Sequence, residues 1–472
     1  MIETKAWRAI HRAVGMVVMA TTLNPGAAEA ATLRAGLAKV DITPPVGATM
    51  WGYSNRPGPG KATLDPLYAK VLTLSDGETG VALVTLDLGR AFDEDHLVRI
   101  RKAAAKVGIQ TVLVAASHTH QGPSLEIRDW PSKENSWSQE AVDKVIKAVL
   151  EAGANLRNVT LAVGYGEVDQ AHNRRHVTED GRVLMRWRNA KREPTQPVDK
   201  TVGVIRVDDA DGKVLAVLVN YACHPVVLGP DNMQYSADYV GVMAKAVEEV
   251  LGGQCMFLQG ACGDINPYMD KTPLRKDGVK HMTEMGQALA AEVIRVAKKA
   301  KPAPVQKASV KAKTSRLRLK PRWALKDSGV REALFKRYRE YIKQMGEAAF
   351  LKYFERFANA LNVKSTTIVL NDSIAWVGFP GEFFVAFQLD LRKASPVPHT
   401  FFIGYADGFA AYFPTIRAAA EGGYGAGYQT FVEVGAGERM VNQAVVNIYE
   451  LLGKLGKVPD TEVPDYPGQL DD

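Results

Sequence analysis

The sequence predicts an α/β protein of mixed sheets with flanking helices and a reactive cluster gathered at strand ends. Three observations predict it. Apolar runs of strand length alternate with stretches whose apolar residues recur at helical spacing. Several of those runs empty into a His or a carboxylate followed by Gly or Pro, which is how open α/β folds build a site beside their strand ends. The composition, 46% hydrophobic and 24% charged over 472 residues, is globular and large enough for one big domain or two fused lobes.

Residues 1–30 stand apart. Lys5, Arg8 and Arg12 precede an apolar run over 13–20, and Ala28-Glu29-Ala30 supplies a small-residue cleavage site. This is the pattern of a secretory signal peptide cut after Ala30, so the chain is expected to be periplasmic or secreted. No later run reaches the length of a membrane span, and no transmembrane segment is expected. The net charge of +7 is mild for this length and gives no argument for nucleic acid. Of the three cysteines, Cys223, Cys255 and Cys262, at least one must be a free thiol. Whether Cys255 and Cys262 pair stays open. None has zinc-ribbon spacing, so a metal here would rest on His, carboxylate or phenol oxygen.

From residue 33 a first strand runs to the Pro44-Pro45 stop. Strands over 68–74 and 81–86 flank the Asp76-Gly77 turn. A helix over 95–105 leads to the run Thr111-Val112-Leu113-Val114-Ala115-Ala116, a buried strand. It ends in His118 and His120, which an extended backbone would set on one face. Val142, Val145, Ile146, Val149 and Leu150 mark an amphipathic helix over 138–152. A strand over 159–168 precedes a polar, basic segment, 171–191. Strands over 202–207 and 214–221 form a hairpin around Asp211-Gly212, the second running into Cys223-His224-Pro225.

Ser236 is the expected N-cap of a helix lined by Val240, Met243, Val247, Val250 and Leu251. A short strand over 255–259 empties into Gly263-Asp264-Ile265-Asn266-Pro267, and Met282, Met285, Leu289, Val293 and Val296 mark another helix. The stretch 301–365 reads as a charged, largely helical insertion. It carries a long helix over 330–361 with a packing stripe of Phe335, Tyr338, Tyr341, Phe350, Tyr353, Phe354 and Phe357. Strands over 366–370 and 374–377 then lead to Pro380-Gly381-Glu382 and a helix through Leu391. A strand over 400–404, a Gly- and Tyr-rich loop to Tyr428 and a closing helix over 438–455 complete a catalytic domain of 31–455. A flexible tail, 456–472, follows. No glycine pattern has Rossmann or P-loop spacing, so nucleotide binding has no support.

Two histidines and a glutamate from separate strand ends are a proper first set of ligands for a catalytic zinc. These residues also carry a resemblance. Val40-Asp41-Ile42-Thr43, Ser117-His118-Thr119-His120-Gln121-Gly122-Pro123, Asn173-Arg174, Ala222-Cys223-His224-Pro225, Ser236-Ala237-Asp238, Gly263-Asp264-x-x-Pro267 and Pro380-Gly381-Glu382 occur in the order and spacing of the neutral/alkaline (non-lysosomal) ceramidases. The chain resembles that family from about residue 36 to residue 455. The resemblance implies an amidase that cleaves an N-acyl bond by zinc-activated water. It implies His118, His224, Glu382 and Tyr412 as Zn2+ ligands, and His120, Arg174 and Tyr424 as residues facing the scissile amide. His120 would shuttle the proton, while Arg174 and Tyr424 would hydrogen-bond a developing oxyanion.

Two departures bear on the reaction. The family's Gly-Asp-x-x-Pro motif carries a serine before the proline, often assigned as the nucleophile, and here that position is Asn266. An amide side chain cannot be acylated productively, so Asn266 is expected only to orient substrate. The family's C-terminal immunoglobulin-like domain is not expected, which removes one reason for action on membrane lipid. Asn173-Arg174-Arg175-His176 and Arg186-Trp187-Arg188 form either a solvated basic loop or a recognition surface for carboxylate or sulfate. The substrate is thus a small molecule or an oligosaccharide, an N-acylated lipid or an anionic compound. The alternative activity is a metal-dependent polysaccharide lyase acting on uronates with Tyr and His as acid and base. A binding protein without turnover is the third reading. The oligomeric state is not legible.

Overall fold

The computed structural model describes residues 32–125, 137–303, 305, 307–339, 342–343, 355, 359–427 and 429–455, and the structural statements below concern these. The expected signal peptide, Tyr428 and the expected tail lie outside them.

Eight strands build the first sheet: Arg34–Asp41 (β1), Tyr68–Ser75 (β2), Gly80–Leu86 (β3), Thr111–Ala116 (β4), Arg157–Glu167 (β5), Thr201–Asp209 (β6), Val214–Tyr221 (β7) and Gln254–Gln259 (β8). Their order across the sheet is β8-β7-β6-β5-β1-β2-β3-β4. Val310–Leu319 (β9), Leu361–Leu370 (β10), Ile374–Gly378 (β11) and His399–Ile403 (β12) form a second sheet in sequence order. The helices are Glu94–Ala105 (α1), Trp137–Ala154 (α2), Tyr239–Leu251 (α3), Gly278–Lys299 (α4), Ser328–Arg337 (α5), Val385–Ala394 (α6), Ile416–Glu421 (α7) and Ala436–Leu451 (α8).

Side-chain alternation explains the layering. Along β2, Ala69 and Val71 face the layer of α1 to α4, while Leu72 and Leu74 face the second sheet. The same split holds in β3 between Ala82 and Val84 on one side and Val81 and Leu83 on the other. Strands buried on both faces read as continuous apolar runs, which is why they were legible. Trp376, Phe401 and Ile403 of the second sheet close the inner layer. On that sheet's far side, Val369, Val377 and Phe402 pack with Phe387 of α6 and Met440 and Ala444 of α8. Each fully buried side chain of this size contributes about 1.5–3 kcal/mol. The result is a helix, sheet, sheet, helix stack.

Most neighbouring strands are antiparallel, but β3/β4, β7/β8 and β11/β12 run parallel. Each parallel pair is joined through a helix (α1, α3 and α6), since a tight turn cannot make that connection. The loops leaving β4, β7, β8, β11 and β12 carry the chemistry-bearing residues. The first sheet curls until its edge strands β4 and β8 touch. Gln259 clamps the closure, its side-chain nitrogen donating to Ser117 O at 2.8 Å and to Cys223 O at 3.0 Å. Gly404 N adds a bond to Gln259 O at 2.8 Å. Residues more than a hundred positions apart in sequence thereby meet.

Several expectations need correction. Ser236 is not the cap of α3. Asp238 occupies that position at φ +57, accepting from Tyr239 N at 2.7 Å, while Ser236 donates to Asp65. The polar, basic segment 171–191, to which the sequence assigns no strands, holds short strands Ala171–Asn173, Arg175–Val177 and Val183–Met185. The expected helix over 330–361 does not reach Leu361. α5 is ten residues long, capped by Asp327, and β9 and β10 pair through ten residue pairs. Tyr338 packs with Ala411 and Phe431, whereas Tyr341, Phe350, Tyr353, Phe354 and Phe357 lie outside the described residues. Cys255 and Cys262 do not pair: all three cysteines are free and buried. No helix among the described residues is long and apolar enough to cross a membrane.

Candidate metal centre and active site

His118 does not stand on an extended strand with His120. β4 ends at Ala116, and His118 sits at φ +67, a left-handed conformation that a non-glycine residue adopts only when its surroundings hold it there. Its backbone N donates to Leu88 O at 2.9 Å, and its ring lies against Tyr405 with centroids 4.0 Å apart. The kink turns the His118 and His120 rings at 88° to each other, with their Nε2 atoms 3.2 Å apart.

His118 and His224 each have one ring nitrogen tied to backbone. His118 Nδ1 is 2.5 Å from Gly89 O, and His224 Nδ1 is 3.0 Å from Ile265 O. A proton on each Nδ1 leaves the Nε2 lone pairs facing inward. They converge on one carboxylate oxygen: Glu382 Oε2 is 3.4 Å from His118 Nε2 and 3.2 Å from His224 Nε2. His118, His120 and His224 each bring a ring nitrogen within 4.8 Å of the others. Glu382 and Tyr412 are partners in a short parallel ribbon, Glu382–Phe383 with Tyr412–Phe413, which delivers both to the same place.

The second group of expected residues lies beside the first. Arg174 is buried and donates through Nη2 to Tyr412 Oη at 3.0 Å and Gly263 O at 2.6 Å, and through Nη1 to Asn266 Oδ1 at 3.1 Å. Its guanidinium lies 5.2 Å from the Tyr424 ring. Asn266 is fully buried, and its Nδ2 donates to Asp270 Oδ2 at 2.9 Å. All eight sequence-derived residues are therefore brought together. Arg175, from the same basic segment, is buried against Glu421 at 3.1 Å, so this part of the segment is packed rather than solvated.

The electrostatics favour neutral rings at His120 and His224 beside an anion. Burial, together with Arg174, brings His224 down to about 4. Burial and the two neighbouring imidazoles push His120 well below its usual range. Burial would raise the Glu382 carboxyl, but His118 and His224 outweigh it and hold it well below the carboxylate range. Burial and the Glu382 charge push the Tyr412 phenol up. Three imidazole nitrogens, a carboxylate and a phenol oxygen form a donor set suited to a borderline divalent metal.

Supporting groups surround the site: Asp264 belongs to a motif already singled out in the sequence, whereas Asp270, Lys271, Tyr405 and Tyr53 do not. Asp264 holds the loop by accepting from Val385 N at 2.8 Å and Asn173 Nδ2 at 2.7 Å. Asp270 and Lys271, 2.6 Å apart, flank Asn266 and Trp187. Tyr405 backs His118, and Tyr53 lies 5.0 Å from the His120 ring. The spacing Asn266-x-x-x-Asp270 was the one available signal for Asp270.

A family model described as neutral/alkaline non-lysosomal ceramidase, N-terminal, matches residues 33–269, half of the chain. That stretch holds His118, His120, Arg174, His224 and Asn266, while Glu382, Tyr412 and Tyr424 lie beyond it. A neutral ceramidase of Pseudomonas aeruginosa is 24% identical over 273 residues, 53% of this chain and 39% of that relative. The match thus spans well under half of the relative's length. Among solved structures, a ceramidase complexed with C2 superposes with a TM-score of 0.69 at 19% identity, covering 92% of this chain and 77% of its own. The crystal structure of neutral ceramidase from Pseudomonas aeruginosa gives 0.68 at 19%, covering 90% and 75%. These likenesses bear out the expected fold. The chain belongs to the neutral/alkaline non-lysosomal ceramidase family.

Proposed function

We propose that this protein is an exported zinc-dependent hydrolase that cleaves an N-acyl amide with water as the nucleophile. One observation carries the reading: two histidine Nε2 atoms face a single Glu382 oxygen while each Nδ1 is tied to a backbone carbonyl. Lone pairs gathered around a carboxylate fit a cation. His118, His224 and Glu382, with Tyr412 beside them, would hold it. Zinc, when bound, supplies the Lewis acidity that polarises an amide carbonyl and acidifies water.

The chain's own residues account for the remaining work. His120 Nδ1 is buried with no hydrogen-bond partner among the described residues. His120 Nε2, which faces His118 Nε2 across 3.2 Å, is suited to take a proton from the attacking water and pass it to the leaving amine as the C–N bond breaks. Arg174 is fixed on three acceptors, and its Nε is likewise buried without a partner among the described residues. That N–H, with the Tyr424 phenol, is suited to the developing oxyanion. Asn266 offers no acylable atom and holds Arg174 in position. The product pair is a carboxylate and an amine.

The relatives named above are ceramidases and lend no support to the polysaccharide-lyase alternative. The test is metal analysis combined with release of fatty acid from ceramide and simpler N-acyl amides, before and after chelation. One zinc per chain and loss of hydrolysis on chelation are expected. Full activity in metal-free protein would sink the reading. Export is tested separately by sequencing the N-terminus of protein recovered outside the cytoplasm, expected at Ala31.

A further inference from the structure

We propose that the amide substrate carries an anionic group beside the scissile bond, held by Lys271 against Trp187. The proposal rests on the amide-hydrolase reading and adds its substrate class.

Lys271 is built into the wall of the site. Its backbone N donates to Val226 O at 2.8 Å, and Thr272 N donates to Val227 O at 2.8 Å. This straps the segment to the chain that follows His224. Its φ is +49, a conformation in which glycine or asparagine costs less, yet the position carries a lysine. The ammonium lies 4.4 Å from the centre of the Trp187 ring, and the Arg174 guanidinium lies 5.1 Å from the same ring.

The two cations differ in what they have left to give. Arg174 is 3% exposed and engages Asn266, Gly263 and Tyr412. The Lys271 side chain is 33% exposed, while its partner Asp270 has a side chain with no exposure. Asp270 Oδ2 occupies one N–H of the ammonium at 2.6 Å. An ammonium carries three donors, so two remain for a ligand. Beside them, the half-buried Trp187 supplies apolar ring carbon next to the charge. A neutral hydroxyl could accept from these donors only as an ordinary hydrogen bond. A carboxylate would complete it with a charge-assisted hydrogen bond, for which about a tenfold gain in affinity is expected.

The test uses two pairs of amides matched in length. N-lauroylglycine against N-lauroylethanolamine places the charge on the amine half. N-dodecylsuccinamate against N-dodecylbutyramide places it on the acyl half. Titration calorimetry on chelator-treated full-length protein reads binding without turnover. In at least one pair the anionic member should bind about tenfold more tightly, and added salt should shrink the difference. Lys271→Gln, whose amide still reaches Asp270, should abolish the preference, and Lys271→Arg should keep most of it. Lys245→Gln, on the 79% exposed side chain of α3, serves as the control. Equal affinities within both pairs, or a preference that survives Lys271→Gln, overturn the proposal. A preference with no turnover by the zinc-loaded protein supports the subsite and sinks the hydrolase reading. Turnover without a preference does the reverse.

Discussion

Asn266 Oδ1 accepts a hydrogen bond from Arg174 Nη1 at 3.1 Å, joining two residues 92 positions apart. The other end of the same amide is held by Asp270 at 2.9 Å. Both polar atoms of Asn266 are therefore engaged inside the protein, and the residue acts on substrate through Arg174. Asn266→Ala should lower kcat/KM by about 10- to 100-fold, the cost of a hydrogen bond to a charged group, with zinc content unchanged. Asn266→Ser should not restore an acyl-enzyme route. Rapid-mixing kinetics on the serine variant should show no burst, and a burst with a raised rate would mean that the serine route is latent in this site.

His118 is expected to act on metal content and stability together. Zinc at about 100 times its Kd should stabilise the wild type by about 2.7 kcal/mol. His118→Ala should reduce zinc from one per chain towards none and remove the zinc-dependent rise in Tm. Scanning calorimetry with and without added zinc reads the effect. An unchanged zinc-dependent rise in the variant would exclude His118 as a ligand.

The site was legible in part because of where its members sit. His118, His224 and Glu382 each follow within a few residues of a strand buried on both faces, so an apolar run points at them. How the two histidines of the first motif meet was not legible. Their rings come together through a left-handed backbone at His118, which alternation along a strand cannot express. Nothing in the sequence marks Lys271, because the bonds from Lys271 and Thr272 to Val226 and Val227 are tertiary. The same cause explains why β10 starts at Leu361, before the expected strand over 366–370: it is fixed by pairing with β9, and local propensity does not record that partner.

His96 gives the fold a pH dependence that can be separated from the site. It is buried on α1, and burial, with Arg99 and Arg90 adding to it, lowers it from 6.5 to about 4. Between those values the unfolded chain binds a proton that the folded chain refuses. The stabilisation is full above about 6.5 and is lost as pH falls through about 4. His224 shifts in the same direction in metal-free protein. His120, His172 and His399 shift the same way, so His96→Gln should remove only its own part of the acid-side slope, on the order of 1–3 kcal/mol. Urea unfolding of chelated protein at several pH values between 4 and 7 checks it. An unchanged slope would show that His96 is protonated in the fold.

Gly52 separates the two roles open to His120. Its φ is +99, and a Cβ added there would land on the His120 ring. The neighbouring Trp51 N is pinned to Gly122 O at 2.9 Å, so the loop has little freedom to retreat. Gly52→Ala should therefore move the imidazole, and a displacement near 1 Å typically costs roughly 100-fold in rate. Strain at the positive φ should cost the fold about 1–3 kcal/mol, a fraction of typical domain stability, leaving a folded protein to assay. With His120 as the proton-handling group, kcat falls while zinc stays at one per chain. If zinc is lost together with activity, His120 is a ligand, and the proton must be carried by another group.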